Sequence, residues 1–229
     1  EVSEFVGEYG EYLDQEQLLD TISKLDVDVV KDEKYGQRVL AWYTFENNTI
    51  HIKNKIKYMK DENVKELKEH EFFHYLFFQG FSRDSFNFFH IGRSIDEGMA
   101  TLLTQENGDF NDTVLYKKNA NYVRVICELI GSENFIRACG NHSINELFDY
   151  LSEYSSKSTA KRLLKCMDDA CIEYGYLTTD ADKEAWNIIN EMYENKTGTT
   201  IEKSDDYIMK YYSNKMIKTC YKIGEAKSI

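Results

Sequence analysis

Nineteen consecutive residues, Asp61 to Gln79, contain neither glycine nor proline. Along them Val64, Leu67, Glu71, His74 and Phe78 recur at intervals of three and four. This spacing predicts a long helix, capped by Asp61 and stopped by Gly80, with one stripe turned inward. Ionisable residues stand in that stripe, and residues 70 to 74 read His70-Glu71-Phe72-Phe73-His74. Positions i and i+4 of a helix share a face, so both imidazoles reach one point, with Glu71 beside them. The bland alternative is a pair of ordinary core or surface histidines.

Around this helix the pattern is mixed. Leu13, Leu18, Leu19, Ile22 and Leu25 have helical rhythm, whereas Val27 to Val30, Val39 to Phe45 and Thr49 to Ile56 read as strands. Asn47 and Asn48 make a turn between the last two. In the third strand Ile50, Ile52 and Ile56 share one face, and His51, Lys53 and Lys55 the other. Helical patterns fill the rest, near 94–105, 113–130, 133–139, 144–155, 158–174, 180–194 and 202–221. Ser143 with Glu146 forms a capping box. Proline is absent, so helix ends rest on Gly, Asn and caps. The fold class is α+β, with a small N-terminal antiparallel sheet and a largely helical C-terminal part. The division expected is 1–110 for the sheet and site-bearing helices, and 111–229 for a helical subdomain completing a cleft.

Two imidazoles and one carboxylate, with a fourth position left for water, suit zinc, and the expected cofactor is one Zn²⁺. Glu71 is placed as the general base that takes a proton from that water. A third ligand is needed. The HExxHxxGxxH solution fails, because Phe77 and Gly80 stand where glycine and histidine belong. Glu97, 23 residues beyond His74, is the better candidate; Asp96 beside it and Asp84 are rivals.

Asp96-Glu97-Gly98-Met99-Ala100, at that distance from HExxH, resembles the gluzincin metallopeptidases, the group of thermolysin-like and aminopeptidase-like enzymes. The resemblance covers roughly residues 37 to 105 and implies a zincin-like fold. It implies that His70, His74 and Glu97 bind Zn²⁺ and that Glu71 is the general base. Thr101 lies one turn after Glu97, where the thermolysin-like pattern has a carboxylate that orients a zinc-bound histidine. Thr101 and Asp96 are therefore expected in the outer shell of the site. The resemblance also implies that the strand before the motif helix, with Ile50 and Ile52, is an edge strand that holds extended peptide. The helix itself agrees: Ile95, Met99, Leu102 and Leu103 form an apolar face, and Gly98, Ala100, Thr101 and Thr104 are small enough for close approach to a neighbour.

An oxyanion donor is usually Tyr or His. His142 and Tyr154 are candidates, with Tyr122 and Tyr150 behind them. His90, seven residues before Glu97, can contact substrate or pack among Phe86, Phe88 and Phe89. Eight of the 13 Phe residues lie between Phe72 and Phe89, as a core or an apolar pocket. No Gly-x-Met-Glu-Asn segment is present, which favours an endopeptidase.

The net charge of −12 argues against nucleic acid as partner, and no apolar run is long enough to span a bilayer. Cys127, Cys139, Cys166, Cys171 and Cys220 form no CxxC pair and read as buried or free thiols. The richness in Asn, Lys, Ile and Tyr suggests an AT-rich bacterial genome. The chain opens at Glu1 and reads as part of something longer, a secreted or anchored protein or a cytoplasmic one. The expected function is zinc-dependent hydrolysis of peptide or protein substrates. The alternative is a zinc-binding regulatory or partner-docking module without turnover.

Overall fold

The computed structural model describes residues 7, 10, 15–31, 40–44, 47–84, 92–106, 117–141, 143–172 and 179–200. In chain order they form α1 (Gln15–Ser23), β1 (Asp26–Val30), β2 (Ala41–Thr44) and β3 (Thr49–Lys53). A 3-10 turn follows at Asn54–Tyr58. The helices α2 (Asp61–Asp84), α3 (Arg93–Glu106), α4 (Lys117–Ile130), α5 (Ser132–Gly140), α6 (Ile144–Ser152), α7 (Lys157–Ile172) and α8 (Asp180–Thr197) complete the chain. The α+β class expected from the sequence is therefore present. The boundary at 110/111 and the helix expected at 202–221 lie outside the described residues, and no described helix is long and apolar enough to cross a membrane.

The sheet departs from expectation. Its order is β1-β3-β2. β2 and β3 pair antiparallel, with Ala41 opposite Ile52 and Thr44 opposite Thr49. Asn48 in their connection takes φ +51°, a conformation asparagine tolerates. β1, however, runs parallel to β3, with Asp26 opposite Thr49 and Val30 opposite Lys53. The sheet is mixed, not antiparallel. Alternation along a strand reports which face is buried, not which neighbour it pairs with or in which direction.

β3 is consequently the central strand, and the reading of Ile50 and Ile52 as an edge that holds substrate is corrected. An added peptide needs unpaired N–H and C=O groups, and both sides of β3 are already laddered to its neighbours. Ile50 and Ile52 are buried with Ala41, against Leu25, Tyr43, Ile56, Leu67 and Phe72. Lys53, which alternation sets on the face opposite the isoleucines, is fully buried as well. The strand also stops at Lys53, and the chain tightens into the 3-10 turn that leads to α2.

α2 lies on the sheet. Tyr75 meets Tyr43 of β2 edge to face, with ring centroids 5.5 Å apart. Its opposite side enters the main core. One continuous cluster joins Phe73, Leu76 and Phe77 to Ile95 and Met99 of α3, Val123 and Ile126 of α4, Leu163 and Met167 of α7, and Ile189 of α8. α2 passes through Gly80 and ends at Asp84, four residues beyond its expected stop. A glycine within a helix is destabilising by only about 1 kcal/mol against alanine, so it does not end a helix by itself. Ser143 Oγ caps α6 by accepting the Glu146 N–H at 3.2 Å. The Glu146 carboxylate is taken by Asn141, so the capping box is only half closed.

Candidate metal centre

Two helices bring the motif residues together. α2 supplies His70, Glu71 and His74 from one turn, and α3 crosses it with Asp96 and Glu97. Nε2 of His70 lies 3.0 Å from Nε2 of His74. Oε2 of Glu97 lies 3.6 Å from Nε2 of His70 and 3.4 Å from Nε2 of His74. A tetrahedral zinc with bonds of about 2.0–2.1 Å separates its ligand atoms by about 3.3 Å, close to these three distances. The circle through three atoms so spaced has a radius of about 1.9 Å, so one ion fits at normal bond length from all three.

The chemistry of the donor set agrees. Among the described residues, His70, His74 and Glu97 are the group of ligand types close enough to hold a metal ion. Oε2 of Glu97 is buried without a hydrogen-bond donor, as a ligand oxygen would be. With neutral imidazoles, the carboxylates of Glu71, Asp96 and Glu97 place three negative charges in a nearly buried space, an arrangement that a divalent cation relieves.

Asp96 is placed by the fold behind His74, with Oδ2 2.9 Å from Nδ1. Burial alone disfavours the His74 imidazolium, yet Asp96 and Glu97 together outweigh it and hold that group well above the ordinary histidine value. Burial likewise raises Asp96, partly offset by His74. For Glu97 the balance reverses: burial would raise it, but His74 and His70 hold it well below the usual carboxylate range. Glu71 is raised, chiefly by burial, against the opposing pull of both imidazoles.

α3 approaches α4 closely because residue 98 is glycine. A Cβ there would stand 2.5 Å from the Asn119 carbonyl oxygen and 2.6 Å from Cγ2 of Val123. Gly98, one of the small residues read from the sequence, thus serves that approach. At its N-terminus α3 is held by Asp168 of α7, whose carboxylate accepts the N–H groups of Gly92 and Ser94, each at 2.7 Å.

Other expected site residues are placed differently. Thr101 is buried, but its Oγ1 has no partner; the side chain standing beside a histidine ring is Asp96, at ion-pair distance from Nδ1 of His74. Tyr154 is not brought to the cluster. Its ring lies under Nζ of Lys196, which also donates to the Glu128 and Leu129 carbonyls. That end of α4 is about 15 Å along the helix from Asn119, the residue against α3. Tyr122 is buried and donates its hydroxyl to Asp182. Asp84 closes α2 about 15 Å along the axis beyond His74. His90 and His142 lie outside the described residues.

Cys127 and Cys139 are buried and Cys166 half-buried, all free. Burial pushes the Cys139 thiol well up, aided by the nearby Asp96. Sequence reasoning missed Asp168, Asn119 and Cys139. They lie 71, 22 and 42 residues beyond Glu97, and no local motif marks such contacts.

The chain matches no protein-family profile, no curated protein and no solved structure.

Proposed function

We propose that this chain is a zinc-dependent metallopeptidase of gluzincin type, with a zincin-like core formed by the sheet, α2 and α3. The observation that carries the reading is the convergence of Oε2 of Glu97 on both Nε2 atoms of the HExxH pair. A spacing pattern alone does not require that meeting of two separate helices.

In this reading His70, His74 and Glu97 hold one Zn²⁺. Bound there, zinc polarises a scissile carbonyl and makes a water acidic enough to serve as nucleophile near neutral pH. Glu71 is the proton carrier: its carboxylate takes the proton from the attacking water and passes it to the departing amine. Burial suits it to both steps, because a carboxyl raised towards neutrality binds and releases a proton with less mismatch. The Asp96 carboxylate, 2.9 Å from Nδ1 of His74, favours a proton on that nitrogen, which leaves Nε2 free to bind metal. The substrate class is peptide or protein, and internal cleavage is favoured by the absence of an amine-reading Gly-x-Met-Glu-Asn segment.

A mixed peptide library incubated with the protein, with and without a chelator, tests the reading. Internal cleavage that the chelator stops and added zinc restores is the expected result. One equivalent of bound zinc without any cleavage points instead to a non-catalytic zinc module, and absence of stoichiometric zinc removes both.

A further inference from the structure

The residue just before α3 is a glycine and offers no capping side chain. Gly92 precedes its first residue with φ +110°, in the region that favours glycine, and has no side-chain oxygen for the first-turn N–H groups. That oxygen comes from another helix. Oδ2 of Asp168 accepts from Gly92 N–H and Oδ1 from Ser94 N–H, both at 2.7 Å. Asp168 is 6% exposed and Ser94 is fully buried. The carboxylate spans two donors at the positive end of a helix dipole, deep in the protein. Burial nevertheless pushes its pKa up to about 6, opposed chiefly by the Ser94 and Gly92 N–H groups and less by Arg93, with Asp169 adding to the rise. A charge kept there against that penalty needs a reason beyond filling space.

The location supplies one. Glu97 lies five residues after Gly92, about 7.5 Å along the axis. The contact of Gly98 on Asn119 sets how closely α3 approaches α4. That contact by itself sets a distance and not the axial position or rotation of α3, and a change in either would move Oε2 of Glu97 off the two imidazoles. A clamp on residues 92 and 94 adds to the core packing of Ile95 and Met99 a directional restraint on both. Metal–ligand distances keep to within about 0.2 Å of their usual values, so that restraint matters more at this helix than at one that only packs.

We propose that Asp168 is a positioning residue for the metal centre, clamping the N-terminus of α3 from α7 so that Glu97 meets His70 and His74. The proposal rests on the zinc reading of that cluster and deepens it. Asp168 touches neither metal nor substrate. It acts through the setting of α3.

The test uses the full chain, zinc affinity from chelator competition, and the visible absorption bands of the cobalt(II) form. Asp168→Ala is expected to weaken zinc binding by about tenfold or more, as outer partners of metal ligands commonly do, and to shift or weaken the cobalt bands. Asp168→Asn retains one acceptor oxygen and is expected to fall between Asp168→Ala and the parent. Leu151→Ala, a core truncation in α6, serves as control and should lower thermal stability with affinity and bands unchanged. Parent-like affinity and bands in Asp168→Ala would overturn the proposal, as would equal weakening by Leu151→Ala. Where Asp168→Ala does not fold, Asp168→Asn decides by the same criteria. A parent protein that binds no zinc refutes the zinc reading and this proposal with it, an outcome visible before any variant is compared.

Discussion

Oδ2 of Asp96 lies 2.9 Å from Nδ1 of His74, so the residue just before one candidate ligand stands at ion-pair distance from the ring of another. Adjacent residues at the start of one helix thus serve two layers of the same site. Glu97 reaches the imidazole Nε2 atoms, and Asp96 reaches the far side of the same ring. In the thermolysin-like pattern the orienting group is expected one turn later, at the position Thr101 occupies.

Asp96→Ala is therefore predicted to lower zinc affinity by about 10- to 100-fold while leaving one metal site per chain. Thr101→Val is predicted to leave affinity unchanged. Because Oγ1 of Thr101 is buried without a partner, its removal should be neutral or stabilising by up to about 1 kcal/mol. Chelator competition and denaturant unfolding of the two variants check both statements.

Gly98→Ala places a methyl group where the Asn119 carbonyl and Val123 already stand. Neither neighbour is the loose end of a long side chain, so the helices must separate. A loss of about 1–3 kcal/mol in unfolding free energy is expected, accompanied by weaker zinc binding because Glu97 moves with the helix. A variant as stable as the parent, with parent-like affinity, would show that α3 and α4 do not pack this way.

Local chemistry was legible in the sequence, and long-range partnership was not. The α2 helix, the β2–β3 turn at Asn47-Asn48 and the Ser143 cap are each encoded within a few residues, and each is present. Glu97 was legible because its motif and spacing coincide. By contrast, the parallel placement of β1, and with it the burial of Lys53 and the central position of Ile50 and Ile52, depends on which strands pair. Nothing in the alternation of β1 or β3 encodes that choice. Asp168 reads as one more helix charge beside Asp169, because its partners Gly92 and Ser94 are backbone groups 74 to 76 residues away.

Tyr122 was a candidate donor to a developing oxyanion, but its hydroxyl is committed to Asp182, which also has Lys118 at 3.8 Å. Tyr122→Phe should destabilise the protein by about 1–3 kcal/mol, by leaving a buried carboxylate short of a donor. Zinc affinity and turnover should remain those of the parent. Loss of turnover in a folded, zinc-loaded variant would return Tyr122 to the reaction.

Asp168 also links stability to pH. Its folded pKa is about 6 against an ordinary 3.8, raised mainly by burial, so the folded state binds its proton more tightly than the unfolded chain. The stability from this group is fully present below about pH 4 and is lost as pH rises through 6, by about 3 kcal/mol in all. Asp168→Asn cannot titrate. The unfolding free energy of the parent, less that of the variant, should therefore fall between pH 4 and pH 6.5; a flat difference would contradict the buried placement.

The most direct test of the central claim pairs metal content with turnover in Glu71→Gln. The substitution keeps the shape of the side chain and all three candidate ligands but removes the group that accepts and returns the proton. The variant is predicted to bind one zinc per chain as the parent does and to cleave no peptide under conditions in which the zinc-loaded parent cleaves. Cleavage by Glu71→Gln at the parental rate would contradict the account.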